Sequence, residues 1–194
     1  MKRSLRPPYP EGRRAGRPVA LTGTPGTGKS SVAAALPDVR SVEVGALAVE
    51  WGLATPADGG VEVDLARVCR RARRPGAFGP TELVVGHLAH LLPLREVVVL
   101  RCRPDLLARR LGRARRGSAE ERQENVVAEA TDLILLEAVR AGRRVWEVDT
   151  TNRRVADVAE EVRRRLLERG PADYGRVAWL RDPRVTAQLL AGGT

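Results

Sequence analysis

A chain of 194 residues, 43% of them hydrophobic, is long enough to bury one α/β core, and its 3% of aromatic residues leaves that core to Val, Leu and Ala. No apolar run approaches the roughly 20 residues that cross a bilayer, and the basic N-terminus has no following apolar stretch of the kind a secretion signal carries, so the expectation is a cytoplasmic protein without a membrane partner. The formal charge of +10 rests on arginine, with lysine only at Lys2 and Lys29; this permits binding to nucleic acid or other phosphate-rich partners, and a general preference for Arg over Lys produces the same balance.

Residues 1–17 hold Lys2, Arg3, Arg6, Arg13, Arg14 and Arg17 among Pro and Gly without a hydrophobic period, and read as a disordered basic arm. From there to about residue 170, short apolar runs alternate with helical patterns. Val19–Thr22 predicts a strand leading through a glycine-rich loop into a helix from about Gly28 to Leu36, and Ser41–Val44 a short second strand. Leu47–Trp51 and Leu65–Arg73 read as helices separated by a Pro/Gly-rich link at Thr55–Gly60. Leu83–Val85 and Val97–Leu100 are buried strands, and Pro104–Leu111 is a helix with Pro in its first turn. Val126, Val127, Leu133, Leu136 and Val139 place one long amphipathic helix over Glu120–Val139. Val145–Val148 is the last strand, Val155–Leu167 the last full helix, and 171–194 a tail whose Val177–Leu180 can dock on the body. The alternation predicts an α/β fold, a parallel sheet of about five strands flanked by helices, with right-handed crossovers. Cys69 and Cys102, isolated in sequence, are assigned no chemistry.

The strongest local signal is Gly23-Thr24-Pro25-Gly26-Thr27-Gly28-Lys29-Ser30, which matches G-x-x-x-x-G-K-[ST] between a strand and a helix. The glycines let successive N–H groups turn inward toward phosphate oxygens, and the helix adds its positive end. Gly23, Gly26, Thr27, Gly28, Lys29, Ser30 and Ser31 are therefore the expected grip on ATP, with Lys29 reaching the β- and γ-phosphates and the Ser30 hydroxyl ligating Mg²⁺. A chain that uses arginine nearly everywhere else keeps a lysine at this one interior place, where a compact ammonium fits and a planar guanidinium does not. A GTPase would need a base-reading N/T-K-x-D, which this sequence lacks.

Taken together, several segments resemble the adenylate kinase isoenzyme 6 family, specifically its archaeal members. They are Leu21–Lys29, Val42-Glu43-Val44-Gly45, Val63-Asp64, Gly86-His87-Leu88-Ala89-His90, Leu100–Pro104, Arg110-Leu111, Arg116-Gly117, Glu124–Glu129 and Asp149-Thr150-Thr151. The match runs in order from about residue 19 to 180. The loop is generic to a superfamily; the Gly-His-x-x-His and Glu-Asn-x-x-x-Glu pieces are far more particular. The resemblance implies a P-loop kinase domain over 18–170 with an NMP-binding region at about 43–63 and a lid at about 115–125. It implies that Arg116 closes over the ATP phosphates, that His87 positions water or Mg²⁺, and that Thr151 and Asn152 lie near the adenine. Arg116 stands among Arg113, Arg115 and Arg122, so a solvated basic face is the rival reading; for His90 a structural role is the expectation, and Asp64 can be either an orienting acid or a helix cap.

The same resemblance implies adenylate kinase and ATPase activities, an AMP or other NMP substrate, and partners in small-ribosomal-subunit maturation, namely a platform ribosomal protein and rRNA. Two departures stand out. Val85 occupies the place of the acid that ends the third strand and holds Mg²⁺ through water, and Val49 the place of an arginine for the NMP phosphate. Glu82 is close in sequence, but period-2 alternation puts it on the face opposite Val85. The leading expectation is phosphoryl transfer from ATP to AMP; the alternatives are an ATPase assembly factor and a nucleotide-sensing module with little kinase activity.

Overall fold

The computed structural model describes residues 17–57, 60–115 and 117–191. Apart from Arg17, the basic arm expected over 1–17 lies outside them. Five strands, β1 (Val19–Thr22), β2 (Ser41–Glu43), β5 (Leu83–Val85), β6 (Glu96–Arg101) and β7 (Arg144–Asp149), pair in parallel in the order β2-β5-β1-β6-β7. These are the five strands expected from the apolar runs, each within a residue or two of its predicted bounds. Placing β1 between β5 and β6 brings the ends of all the central strands to one edge, where the glycine loop leaves β1.

Alternation along the strands sorts side chains to two helical layers. Val19, Leu21, Val85, Val98, Leu100, Trp146 and Val148 face α1 (Lys29–Ala34) and α7 (Val155–Glu168), packing on Val32, Val158 and Val162. Ala20, Val84, Val97, Val99 and Val145 face the other way, onto α2 (Val44–Glu50), α3 (Leu65–Ala72) and α6 (Leu133–Arg140). Both faces of the sheet are covered, which is why its strands read as continuous apolar runs. Each fully buried Val or Leu contributes about 1.5–3 kcal/mol, so a core with few aromatics still suffices. Its one large ring, Trp146, is fully buried and donates from Nε1 to the Pro171 carbonyl at 2.8 Å.

Three sequence expectations are corrected. The Thr55–Gly60 link belongs to a two-stranded antiparallel hairpin of β3 (Ala54–Ala57) and β4 (Gly60–Val63), in which Pro56 sits opposite Val61. A short edge ribbon tolerates the missing proline donor, so its composition hid the strand. Second, the helix expected over Glu120–Val139 is two helices, α5 (Ala119–Ala130) and α6, broken where Asp132 takes a left-handed conformation at φ 58°. The break turns the Asp132 carboxylate onto Arg101, a long-range contact that periodicity does not register. Third, α7 is not the last full helix: the segment after it docks on the body through Trp179, whose Nε1 donates to Glu129 at 3.0 Å, and then forms a 3₁₀ turn at Trp179–Arg181 and a further helix, α8 (Pro183–Ala191), with Val185 buried. Among the described residues no helix is long and apolar enough to cross a membrane.

Candidate functional site

At the strand-end edge, Gly23 follows β1 with φ 140°, and a Cβ there would lie 2.4 Å from the Leu100 carbonyl oxygen. Only glycine lets the loop leave the sheet between β1 and β6. Gly28, at φ 99°, ends the loop as the N-cap of α1 and puts no side chain across that helix end. The first turn of α1 carries neither a side-chain cap nor an acidic residue, so its N–H groups and positive end face the loop's concavity. Inside the loop Thr27 donates from its hydroxyl and its amide to the Thr24 carbonyl, at 2.9 and 3.2 Å. Lys29 folds back over the loop, its Nζ donating to the carbonyls of Gly23 (2.8 Å) and Thr24 (3.0 Å). The result is a curled main chain with an ammonium at its centre, able to hold a polyphosphate.

Beside it, a cavity of about 280 Å³ opens between the loop, the start of α1 and the segment after β7. Gly26, Gly28 and Ser31 contribute on one side, Arg110, Thr150 and Arg153 on the other. Arg110 of α4 (Pro104–Ala114) is held there by donating to the Thr150 hydroxyl (3.3 Å) and carbonyl (3.2 Å). Thr150 and Arg153 thus line the cavity in the segment where the resemblance implied Thr151 and Asn152. The Thr151 hydroxyl instead accepts from the Arg103 amide at 2.9 Å, and Asn152 is the left-handed residue of the turn, at φ 53°. Arg110 stood among the segments of the resemblance without a role, and Arg153 was not singled out from sequence, because nothing local distinguishes it from the many other arginines.

His87 lies just past β5, near Lys29, at the site's margin, open to solvent on one side and enclosed on the other. Partial enclosure lowers its pKa below the ordinary value, and the charges of Lys29 and His90 push the same way, so the ring is neutral at pH 7. His90 is buried, with Nδ1 3.1 Å from the Thr22 hydroxyl and Nε2 2.8 Å from Glu137; it braces β1 against α6. Asp64 caps α3, accepting from the Arg67 amide at 3.0 Å. Glu82 stands at the opposite end of β5, paired with Arg40 at 3.5 Å, far from any role at the loop. Cys102 is buried, which pushes its thiol up to about 11, so it carries no thiolate.

The lid expected at 115–125 spans the end of α4 and the start of α5. Ser118 and Glu121 form a reciprocal capping box there, and Arg122 donates to the Gly117 carbonyl at 2.7 Å. Arg116 lies outside the described residues. In the expected NMP region, Val49 is 55% exposed on α2.

Two carboxylates reach the loop that sequence reasoning did not place there. Glu129 of α5 accepts from the Thr24 hydroxyl at 2.6 Å, and also from Arg101 Nε (2.8 Å), the Cys102 amide (3.1 Å) and Trp179 Nε1 (3.0 Å). Glu43, at the end of β2, accepts from the Ser30 hydroxyl at 2.9 Å. A serine hydroxyl beside a carboxylate is a set of hard oxygen donors, which suits Mg²⁺, so the residues present fit the ion that the loop motif implies.

A family model described as an AAA domain matches residues 19–132. The "Putative adenylate kinase" of Thermococcus onnurineus (strain NA1) is 34% identical over 178 residues, 90% of this chain and 98% of that protein. The protein of the same description from Archaeoglobus fulgidus is 40% identical over 147 residues, 74% of this chain and 79% of its own length. That from Natronomonas pharaonis is 39% identical over 160 residues, 79% of this chain and 93% of its own. With a P-loop at the head of a five-stranded parallel sheet, and relatives at 34–40% identity matched along 79–98% of their length, the chain belongs to the adenylate kinase isoenzyme 6 family.

Proposed function

We propose that the protein is an ATP-dependent nucleoside monophosphate kinase that converts ATP and AMP to two ADP. The observation that carries this reading is the loop itself: a left-handed Gly28 opening α1, with Lys29 folded over the Gly23 and Thr24 carbonyls, in a chain whose relatives carry the description "Putative adenylate kinase". In the reaction an oxygen of the AMP phosphate attacks the γ-phosphorus, the bond to the β–γ bridging oxygen breaks, and its electron pair leaves on ADP. Lys29 neutralises charge on the β- and γ-phosphates, and the amides of Gly26–Ser31 orient them. Ser30 would hold Mg²⁺, which would spread the negative charge that builds on the phosphates. Arg116 is assigned to closure over the phosphates. His87, neutral because of its enclosure and the nearby Lys29 charge, orients a proton-bearing group without adding a cation. Thr150, Arg110 and Arg153 support a base-side pocket beside the loop, with Thr151 and Asn152 shaping the turn that carries them.

Val49 favours a second reading. An exposed valine on α2 offers no charge to an NMP phosphate, and Val85 offers no carboxylate to a metal. The first fits an ATPase whose turnover serves small-ribosomal-subunit maturation, with rRNA and a platform ribosomal protein as partners, and the +10 charge suits such a partner; the second slows transfer and hydrolysis alike and fits a nucleotide-sensing module. Measuring ADP formed from ATP with and without AMP, then repeating the AMP-free arm with rRNA or the ribosomal protein, separates the two. AMP-dependent turnover is expected; hydrolysis stimulated only by the partner would replace the kinase reading with the ATPase one.

A further inference from the structure

We propose that Glu43 is the metal-organising carboxylate of this protein, supplied from β2 in place of the acid missing from β5. The inference rests on the nucleotide reading above and assigns a residue that the family resemblance does not. Its first support is register. Glu43 and Val85 are Cα partners in the parallel pairing of β2 with β5, so their side chains leave the same face of the sheet, one strand spacing of about 4.8 Å apart. Val85 points into the layer beneath α1, where it is 1% exposed among Leu21, Val32 and Leu36. It is a packing residue and cannot serve a cation. Glu43, its neighbour at the open edge, points toward the same helix and ends at solvent against Ser30.

The second support is what Glu43 leaves undone. It is the N-cap of α2, where a side-chain oxygen ordinarily accepts from an amide of the first helical turn, yet it makes no such bond. Its carboxylate reaches instead across to α1 and accepts from the hydroxyl of the one loop residue whose role is to ligate Mg²⁺. Carboxylates that hold a metal's waters or orient a first ligand act from this position, and losing one typically costs 10–100-fold in metal affinity. A negative charge beside the phosphate cradle opposes nucleotide binding unless a cation lies between them, so Glu43 also makes nucleotide affinity depend more steeply on the divalent ion.

Glu43→Gln tests this directly, because the amide oxygen can still accept from Ser30 while the charge is gone. Mn²⁺ serves as the probe: electron paramagnetic resonance reads free Mn²⁺ as it is titrated into the full chain with a non-hydrolysable ATP analogue, and calorimetry reads analogue affinity in EDTA. The expected result is Mn²⁺ binding at least tenfold weaker in Glu43→Gln, with affinity in EDTA unchanged or a few-fold tighter. Equal Mn²⁺ affinity in parent and variant overturns the assignment, as does an equal loss of affinity in EDTA, which would make Glu43 a contact to nucleotide or fold and not to metal. A parent that binds no analogue under either condition overturns the nucleotide reading and this proposal together. Intact far-UV circular dichroism and melting temperature in the variant confirm that a fold defect is not being read.

Discussion

Two carboxylates flank the glycine loop, and their surroundings give them opposite duties. Glu129 is buried at 2% exposure, and both its oxygens are occupied, by Thr24 on one side and by Arg101, the Cys102 amide and Trp179 on the other. Arg101 is as deeply buried and also binds Glu147, whose second oxygen accepts from the amides of Gly175, Arg176 and Val177. This network fastens the C-terminal segment to the loop's back, and its carboxylate oxygens are engaged by Arg101 and by hydroxyl, amide and indole donors. Glu43 meets the loop's front from solvent through the Ser30 hydroxyl. A carboxylate satisfied on every side holds a structure together; one at an open edge beside a hydroxyl has capacity left for a cation.

The loop between them carries Lys29, and the largest effect is expected there. Lys29→Ala should lower turnover by roughly 10²–10³-fold, the scale of removing one donor from phosphate charge developing in the transition state, and should release nucleotide in filter binding. A variant that retains nucleotide like the parent would dissolve the site that both carboxylates are said to flank.

Next in size, Glu129→Ala should destabilise the fold by about 3–5 kcal/mol in urea titration, because the Thr24 hydroxyl, the Cys102 amide and the Trp179 indole lose their acceptor together and Arg101 loses one of its three carboxylates. Glu43→Gln should stay within about 0.5 kcal/mol of the parent in the same titration. Similar losses for the two would erase the contrast between a structural and a metal-directed carboxylate.

The smallest effect is a pH dependence at the brace behind the loop. Burial lowers the pKa of His90 below its ordinary 6.5 despite the opposing pull of Glu137, with Arg143 acting in the lowering direction. A depressed histidine contributes stability that is fully present above about pH 6.5 and is lost as the pH falls toward the lowered native value. Melting temperatures from pH 8 to pH 5 should therefore drop more steeply for the parent than for His90→Gln. His87 shifts in the same direction, so His87→Gln is the companion measurement. Parallel curves for the parent and His90→Gln would remove the titration assigned to His90.

By itself the sequence determined the parts whose causes are local. Glycines at fixed spacing between an apolar run and a helix specify a curled phosphate loop, because left-handed backbone at Gly26 and Gly28 is cheap only for that residue. Doubly covered strands such as Val97–Leu100 announce a parallel sheet, since both faces must be apolar. The tertiary structure alone decided what depends on distant neighbours. Asp132 breaks a helix that its amphipathic pattern would continue, because Arg101, 31 residues away, is there to receive it. Glu129 meets Thr24 across 105 residues, and Trp179 meets Glu129 across 50. Arg110 and Arg153 became pocket residues only when Thr150 and the loop closed around them. Even Glu43, 13 residues from Ser30, gained its place through the pairing of β2 with β5. Periodicity records which face a side chain takes; which charge meets it there is settled by strand order and register, and those form only when the whole sheet does.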